Sequence, residues 1–600
     1  MNRRMLASAG VVLAVLAGAV LALHPGAANY LAQVWDRQAA KLAASPAAEP
    51  LFFVGAAFLA LPALRRRRWG RAAGWFTAAF AWLAFYRSVA GFLGGLGADS
   101  FAEARAFDLD EARFWLTTLR DVVRPIWSWR SFVVYAAASL AAFAGIGALL
   151  EHARMGGEAR DKVRRALGLA SMAAAVLLTI GQPVLLYLSN SADFARVRAN
   201  FASRPPRMEL PRAPMGALVY IGESTSALHM GLYGYRRDTT PRLSALARTD
   251  SGLLVFRNVF STHTHTSLSL LEALSAGLDP SQNFLPINER KRLSVVDALG
   301  AAGYRVSLVS NQGRTGTWNE ANAIIFANGD SSTFSTNSRL AGNSDALMPR
   351  PWDDAFFAQQ MPRSALAGAD DRAVVFFHSY AGHGPYLDHV PASFRQPVDD
   401  ALRHKPAYAF TDADAALIET EAYDSTLRYI DHAVAQAIEF VKLRERPTLF
   451  VYFSDHGEIP GVGHDSARFS YEMALVPFLV YFNEAARREH AVLYEKYVQQ
   501  ARQSRKVVST LAELPATLFD LLDVRPSSSA QPALALAPVI GDDAIKPPIV
   551  VRRTVSGVSF VDVNRVARPA PARPGQTLVD NTSAAARAYV ADVYGESASR

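Results

Sequence analysis

The 600-residue sequence contains no cysteine, which excludes disulfides, thiolate metal sites and a cysteine nucleophile. An oxidising compartment stays open, because such a compartment permits disulfides without requiring them. Also missing is any basic stripe interleaved with aromatics, so the net charge of +8 does not point to nucleic acid. The basic excess lies largely in short loops between apolar segments, where it reads as a topology signal. Hydrophobic residues make up 50% of the chain, and their excess is concentrated in the first third. That distribution points to membrane spans rather than to one oversized core.

Apolar runs occupy 6–23, 51–64, 72–96, 132–150 and 167–188. Four approach or exceed the roughly 18 to 20 residues that cross a bilayer. The second reaches that length only by including Ala47 to Pro50. The first follows Asn2-Arg3-Arg4 with no clean small-x-small site after it, and it reads as an uncleaved anchor rather than a signal peptide. Arg3 and Arg4, the Arg65-Arg66-Arg67-Arg68 run with Arg71, and Arg154, Arg160, Lys162, Arg164 and Arg165 all fall on one side if every run spans. That side is expected to be cytoplasmic. Everything after Leu188 is then expected outside, which in a Gram-negative cell is the periplasm.

The expected domains are a transmembrane bundle of about five helices over 1–190, a linker over 191–215, an α/β domain over 216–526 and a low-complexity tail over 527–600. In the third, β-branched and aromatic runs at 217–221, 304–309, 373–377 and 449–453 alternate with helical patterns. The longest pattern, 412–443, sets Leu417, Ala422, Leu427, Ile430, Val434 and Ile438 largely on one face. This suits a mostly parallel sheet covered by helices. In the tail, one strand pair is expected around 549–563.

Each of the four runs stops at a polar cluster. These are Gly222-Glu223-Ser224, Ser310-Asn311-Gln312, His378 with Gly382-His383-Gly384-Pro385, and Ser454-Asp455-His456-Gly457-Glu458. Ligands of open parallel sheets bind outside the carboxyl ends of the strands, so parallel strands would bring these clusters to one crest. Singly, Glu223 reads as a solvated acid, Asp455 as a helix cap and His378 as a half-buried imidazole. Four in register argue for a site. Glu223, Asp455 and His456 form a mixed oxygen and nitrogen donor set, which is typical of metals that act on phosphoryl oxygens. A nucleophile is available in Ser261-Thr262-His263-Thr264-His265-Thr266-Ser267, just before a helical pattern. A hydroxyl there would feel both the helix dipole and the metal charge. Capping of that helix is the plainer role, and Thr264 and Thr266 both remain open.

Ile221-Gly222-Glu223-Ser224-Thr225 and the segment from Met230-Gly231-Leu232-Tyr233-Gly234-Tyr235 to Thr240-Pro241 resemble the opening motif of the lipopolysaccharide phosphoethanolamine transferases. These belong to the sulfatase branch of the alkaline phosphatase superfamily. Asn258-Val259 with the threonine-rich run, Ser310-Asn311-Gln312, His378 to Pro385, Tyr423-Asp424-Ser425-Thr426, the Asp455-His456 cluster and His464 recur in the same order. The match covers about 218–477, and the Gly-Glu-Ser-Thr form looks like the core-heptose-modifying branch.

The resemblance implies one zinc ion, with room for a second, bound by Glu223, Thr266, Asp455 and His456. It implies Thr266 as nucleophile, with His383 as proton donor to the leaving group. His378, His464, Asn311, Gln312 and Arg314 would contact substrate, and His464 would also be placed to hold a second zinc. Phosphatidylethanolamine is the implied donor, and a lipopolysaccharide or other envelope glycan the implied acceptor. Relative to the family pattern, Thr262 stands where a cysteine is common, and His263 and His265 where small residues are common. Arg314 replaces a lysine, keeping charge but changing hydrogen-bond geometry. The rival readings are a phosphoglycerol transferase or phosphodiester hydrolase of the same superfamily, and a non-catalytic lipid- or glycan-binding membrane protein.

Overall fold

The computed structural model describes residues 51–61, 69–71, 75, 144–146, 148–149, 151–153, 156–201, 205–279, 290–313, 320–335, 350–368, 370–395, 412–461, 463–464, 471–527, 539–542, 549–554 and 557–562. The chain divides into two compact units, one of residues 1–193 with 338–348 and one of 194–337 with 349–600.

In the first unit, residues 51–61 are helical, and so are 157–193, which belong to the 44-residue helix α1, Gly157–Asn200, that runs through the fifth apolar segment. The two helices meet through small residues. A Cβ on Gly55 would stand 2.5 Å from Met172 and 2.7 Å from the Gly168 carbonyl, and one on Gly168 would stand 3.0 Å from Phe58. Only glycine allows that approach. Among the described residues, no helix is long and apolar enough to cross a membrane. The expected span at 6–23, and most of those at 72–96 and 132–150, lie outside the described residues.

The second unit is built on a seven-stranded sheet. Its strands are β1 (Gly216–Gly222), β2 (Leu253–Phe256), β3 (Arg305–Ser310), β4 (Ser331–Phe334), β5 (Ala373–His378), β6 (Thr448–Ser454) and β7 (Phe478–Phe482). Their spatial order is β2-β7-β6-β1-β5-β3-β4. The four runs expected as strands are four of these, with Tyr304 just outside β3. The central strands pair in parallel, and β7 runs antiparallel to both β6 and β2, which makes the sheet mixed. Parallel strands are covered on both faces and so read as unbroken apolar runs. Accordingly every residue of β1, β5 and β6 is buried.

Two faces follow from the strand alternation. Leu218, Tyr220, Val375, Phe377, Phe450 and Tyr452 share one core with Leu427, Ile430, Val434 and Ile438 of helix α2, Asp412–Lys442. The alternate residues Val219, Ile221, Phe376 and Phe453 are buried on the opposite face, where Phe326 packs edge-on against Phe376 at 5.1 Å. The register aligns the strand ends: Gly222 pairs with Ser454, Ile221 with His378, and Ser310 with His378. The four polar clusters therefore leave the sheet at one level. Beyond the sheet, Met208–Glu209 pairs with Arg525–Pro526, and Ile549–Thr554 with Gly557–Asp562.

Candidate active site

Glu223 and Asp455 are the first residues past β1 and β6, adjacent parallel strands, so strand spacing alone brings the two acids together. Backbone bonds continue past the strand ends, with Asp455 N donating to the Gly222 carbonyl at 3.1 Å. Ser224 then turns the chain in a left-handed conformation, φ 49°. Its N–H donates to Asp455 Oδ1 at 3.0 Å, and its hydroxyl donates to Glu223 Oε1 at 2.8 Å.

Asp455 Oδ1 also accepts from His456 N at 2.7 Å, while Asp455 Oδ2 is buried with no hydrogen-bond partner among the described residues. That oxygen stands 3.3 Å from His456 Nε2. His456 Nδ1 lies 2.9 Å from the Gly457 carbonyl, which accepts a proton there and leaves Nε2 as the free lone pair. One ligating atom each from Glu223, Asp455 and His456 lie within 4.8 Å of one another, and all three residues are buried.

Thr266 completes the group. It opens the helix α3, Thr266–Ala273, which lies between β2 and β3 in the chain, and its Oγ1 is 3.4 Å from Glu223 Oε2 and 3.3 Å from His456 Nε2. The helix is fastened to the acid loop, because the hydroxyls of Ser261 and Ser269 both donate to the Asp455 carbonyl. Thr264, two residues upstream of Thr266, is fully buried.

Two buried carboxylates side by side create an electrostatic demand. Burial pushes the Glu223 carboxyl up, but His456, His383, His378 and the Gln312 amide outweigh it and bring it down to about 2. Burial, and then the charge of Glu223, push Asp455 well above the usual carboxylate range. An unpartnered carboxylate oxygen, a free imidazole lone pair and two hard oxygen donors match the requirements of a zinc ion. The residues fit such an ion.

The remaining expected residues divide. Gln312 Nε2 donates to Glu223 Oε2 at 2.7 Å and to the Ser379 carbonyl, so it braces the Glu223 carboxylate. Its neighbour Asn311 turns to Asp353 Oδ1 at 2.7 Å and to the Pro351 carbonyl. His378 is fully buried, 3.3 Å from Asn322 Nδ2, and burial lowers it to about 4. His383 is half-buried, with Nδ1 2.6 Å from the Gly384 carbonyl and its ring stacked on Tyr380 at 5.1 Å. His464 lies 4.2 Å ring to ring from His456 and is held by Glu458 at 3.0 Å. Arg314 lies outside the described residues.

Sequence reasoning missed Asp353, which accepts from Asn311, from Tyr380 N at 3.0 Å and from Ala381 N at 2.8 Å. It sits in the first turn of a helix, Asp353–Gln360, where an acid looks like ordinary dipole compensation.

A model of the sulfatase family matches residues 217–524, just over half of the chain. The chain belongs to the sulfatase family. The sulfatase domain is of the alkaline-phosphatase type that the motifs implied, and the match takes in the seven-stranded sheet save Gly216. Among curated proteins, the chain is similar to the phosphoethanolamine transferase EptC of Escherichia coli O18:K1:H7 (strain RS218 / NMEC), with 25% identity over 323 residues, 52% of each chain. It is also similar to the phosphoethanolamine transferase CptA of Salmonella typhimurium (strain LT2), with 27% identity over 320 residues, again 52% of each. The chain thus spans about half the length of the curated relatives it matches. The zinc complex of the C-terminal periplasmic domain of EptC from Escherichia coli aligns with a TM-score of 0.48 at 23% identity, covering 62% of this chain and 99% of that one.

Proposed function

We propose that this protein is a membrane-bound, zinc-dependent transferase that moves phosphoethanolamine from phosphatidylethanolamine to a lipopolysaccharide, at lipid A or core, or to another envelope glycan. The curated relatives named above support the group transferred. The observation that carries the reading is the convergence of the Thr266 hydroxyl on Glu223 and His456 at the start of a helix. The five apolar segments and their flanking arginines support an inner-membrane anchor over 1–190 and a periplasmic catalytic domain over 216–526.

Glu223, Asp455, His456 and Thr266 would hold the zinc ion, which supplies Lewis-acid charge that lowers the hydroxyl pKa and offsets charge on phosphoryl oxygens. Thr266 Oγ1 attacks the phosphodiester phosphorus in line, forming a phosphothreonine bond as the bond to the diacylglycerol oxygen breaks. His383 gives its proton to that leaving oxygen; the Gly384 carbonyl holds its Nδ1 and orients the ring. The acceptor O–H then attacks the same phosphorus and passes its proton to His383, which regains the one it gave up, as Thr266 leaves as the alkoxide with which the cycle begins. Anchoring beside the donor lipid raises its effective concentration.

Intact-mass analysis of the protein after incubation with phosphatidylethanolamine tests this. The expected result is an ethanolamine phosphate adduct on the peptide carrying Thr266, absent in Thr266→Ala, whose transfer rate falls about a thousandfold or more. A glycerol phosphate adduct would transfer the assignment to phosphoglycerol chemistry. Undiminished transfer by Thr266→Ala would end the reading.

A further inference from the structure

The short helix Tyr471–Ala474 carries none of the site donors, yet it touches every loop that does. Three successive carbonyls each accept from a different loop. Met473 O takes Gly457 N at 2.7 Å, Ala474 O takes Ser261 N at 2.7 Å, and Leu475 O takes Ala227 N at 2.9 Å. Those loops hold Asp455 and His456, Thr266, and Glu223 respectively. The approach is close, since a Cβ on Gly457 would lie 2.2 Å from the Glu472 carbonyl.

The side chain of Glu472 is fully buried and meets Nε2 of the equally buried His229, six residues beyond Glu223. His229 Nδ1 faces Asp424 Oδ1 at 3.8 Å, and Asp424 Oδ2 accepts from Arg237 at 2.6 Å and from the Tyr235 hydroxyl at 3.2 Å. The Tyr423 ring stands edge-on to His229 at 5.3 Å. Its hydroxyl donates to the Ser224 carbonyl at 2.7 Å and accepts from Ser226 N at 2.9 Å, clasping the chain on both sides of Thr225. A buried ion pair is weak evidence for stability but can fix one arrangement over its rivals.

We propose that Glu472, His229 and Tyr423 are positioning residues that lock the 471–475 turn to the three loops of the site and so set the separation of the Thr266 hydroxyl from Glu223, Asp455 and His456. The inference rests on the transferase reading for its kinetic test, but not for its metal test. Misplacing reacting groups by about 1 Å can cost about a hundredfold in rate.

The experiment uses the full chain in its membrane environment and compares wild type with E472Q, Y423F and H229Q/E472Q. Four quantities are measured: kcat and KM for phosphatidylethanolamine, melting temperature, and retention of zinc against a chelator. E472Q and Y423F should lower kcat by about ten- to a hundredfold with KM within about twofold, and should release zinc at lower chelator concentration. The doubly neutral variant should recover the melting temperature lost in E472Q without recovering kcat, since removing both partners leaves no buried charge unpaired. Recovery of kcat in step with melting temperature, or wild-type kcat in Y423F, would overturn the proposal. A wild-type protein that transfers nothing would instead defeat the phosphoethanolamine reading, and zinc retention by Y423F would still decide the positioning role. Should E472Q not fold, Y423F, which loses a single hydroxyl, decides alone.

Discussion

Gly382 lies in the left-handed region at φ 119°, and a Cβ there would fall 1.8 Å from the Glu223 carbonyl. Gly382→Ala must therefore displace the residue that follows β1, and with it a donor of the site. We expect normal circular dichroism, looser zinc binding and a loss of transfer of about a hundredfold, read from steady-state rates. Circular dichroism with wild-type rates would show that the two loops separate without disturbing Glu223. At this scale the sequence was informative where a residue directly follows a strand. The positions of Glu223 and Asp455 were legible because apolar runs ended two residues before them. Which of two neighbours faces the site was not. Gln312 turns to Glu223 whereas Asn311 turns to Asp353, and nothing in the pair Asn-Gln distinguishes them.

Helix α3 is pinned at both ends. Near its C-terminal end Glu272, 4% exposed, accepts from Arg290 Nη1 at 2.9 and 3.0 Å and faces Arg292 at 3.2 Å. Arg292 also donates to the Glu272 and Ser275 carbonyls, tying the helix to the strand Arg292–Ser294. Burial alone would raise the Glu272 carboxyl, but Arg292, the hydrogen bond of His263 and Arg290 hold it well below the usual carboxylate range. Because the folded pKa is depressed, this stabilisation is complete above the unfolded pKa and fades as pH falls below it. Glu272→Gln leaves two buried guanidinium groups unneutralised and should cost about 3–5 kcal/mol near neutral pH. The gap between variant and wild-type denaturation midpoints should narrow below about pH 4.3. A gap independent of pH would show that the charge of Glu272 is not what matters. The existence of the central strands was legible, since β-branched and aromatic runs seldom do anything else at that length. The reversed direction of β7 was not, because composition is blind to strand polarity. The clamp on α3 was hidden too, as its partners stand 18 and 20 residues from Glu272.

For the molecule as a whole, metal and pH set the conditions of stability. An ion bound only by the folded site stabilises by mass action, about 2.7 kcal/mol at a hundred times its Kd. Chelation should therefore lower the melting temperature by several degrees and abolish transfer, and zinc should restore both. Restoration by magnesium alone, which favours near-octahedral oxygen sites, would refute the zinc assignment. On the alkaline side, burial opposes the charge of His229, yet Glu472 and Asp424 prevail and lift it to about 9. A raised folded pKa gives stabilisation that is full below the unfolded value, about 6.5, and is lost as pH rises through about 9. The melting-temperature advantage of wild type over His229→Gln should shrink across that window, and a constant advantage would remove the charge from the explanation. Membrane topology is an expectation from charge alone, since 6–23, most of 72–96 and most of 132–150 lie outside the described residues.

The pairing of Gly222 with Ser454 makes the sheet a ruler for the Glu223 and Asp455 carboxylates that follow. A residue inserted into or deleted from β1 or β6 would flip one carboxylate to the far side, because side chains alternate along a strand. Descendants of this sequence are free to lengthen surface loops, while the register of those two strands is closed to change.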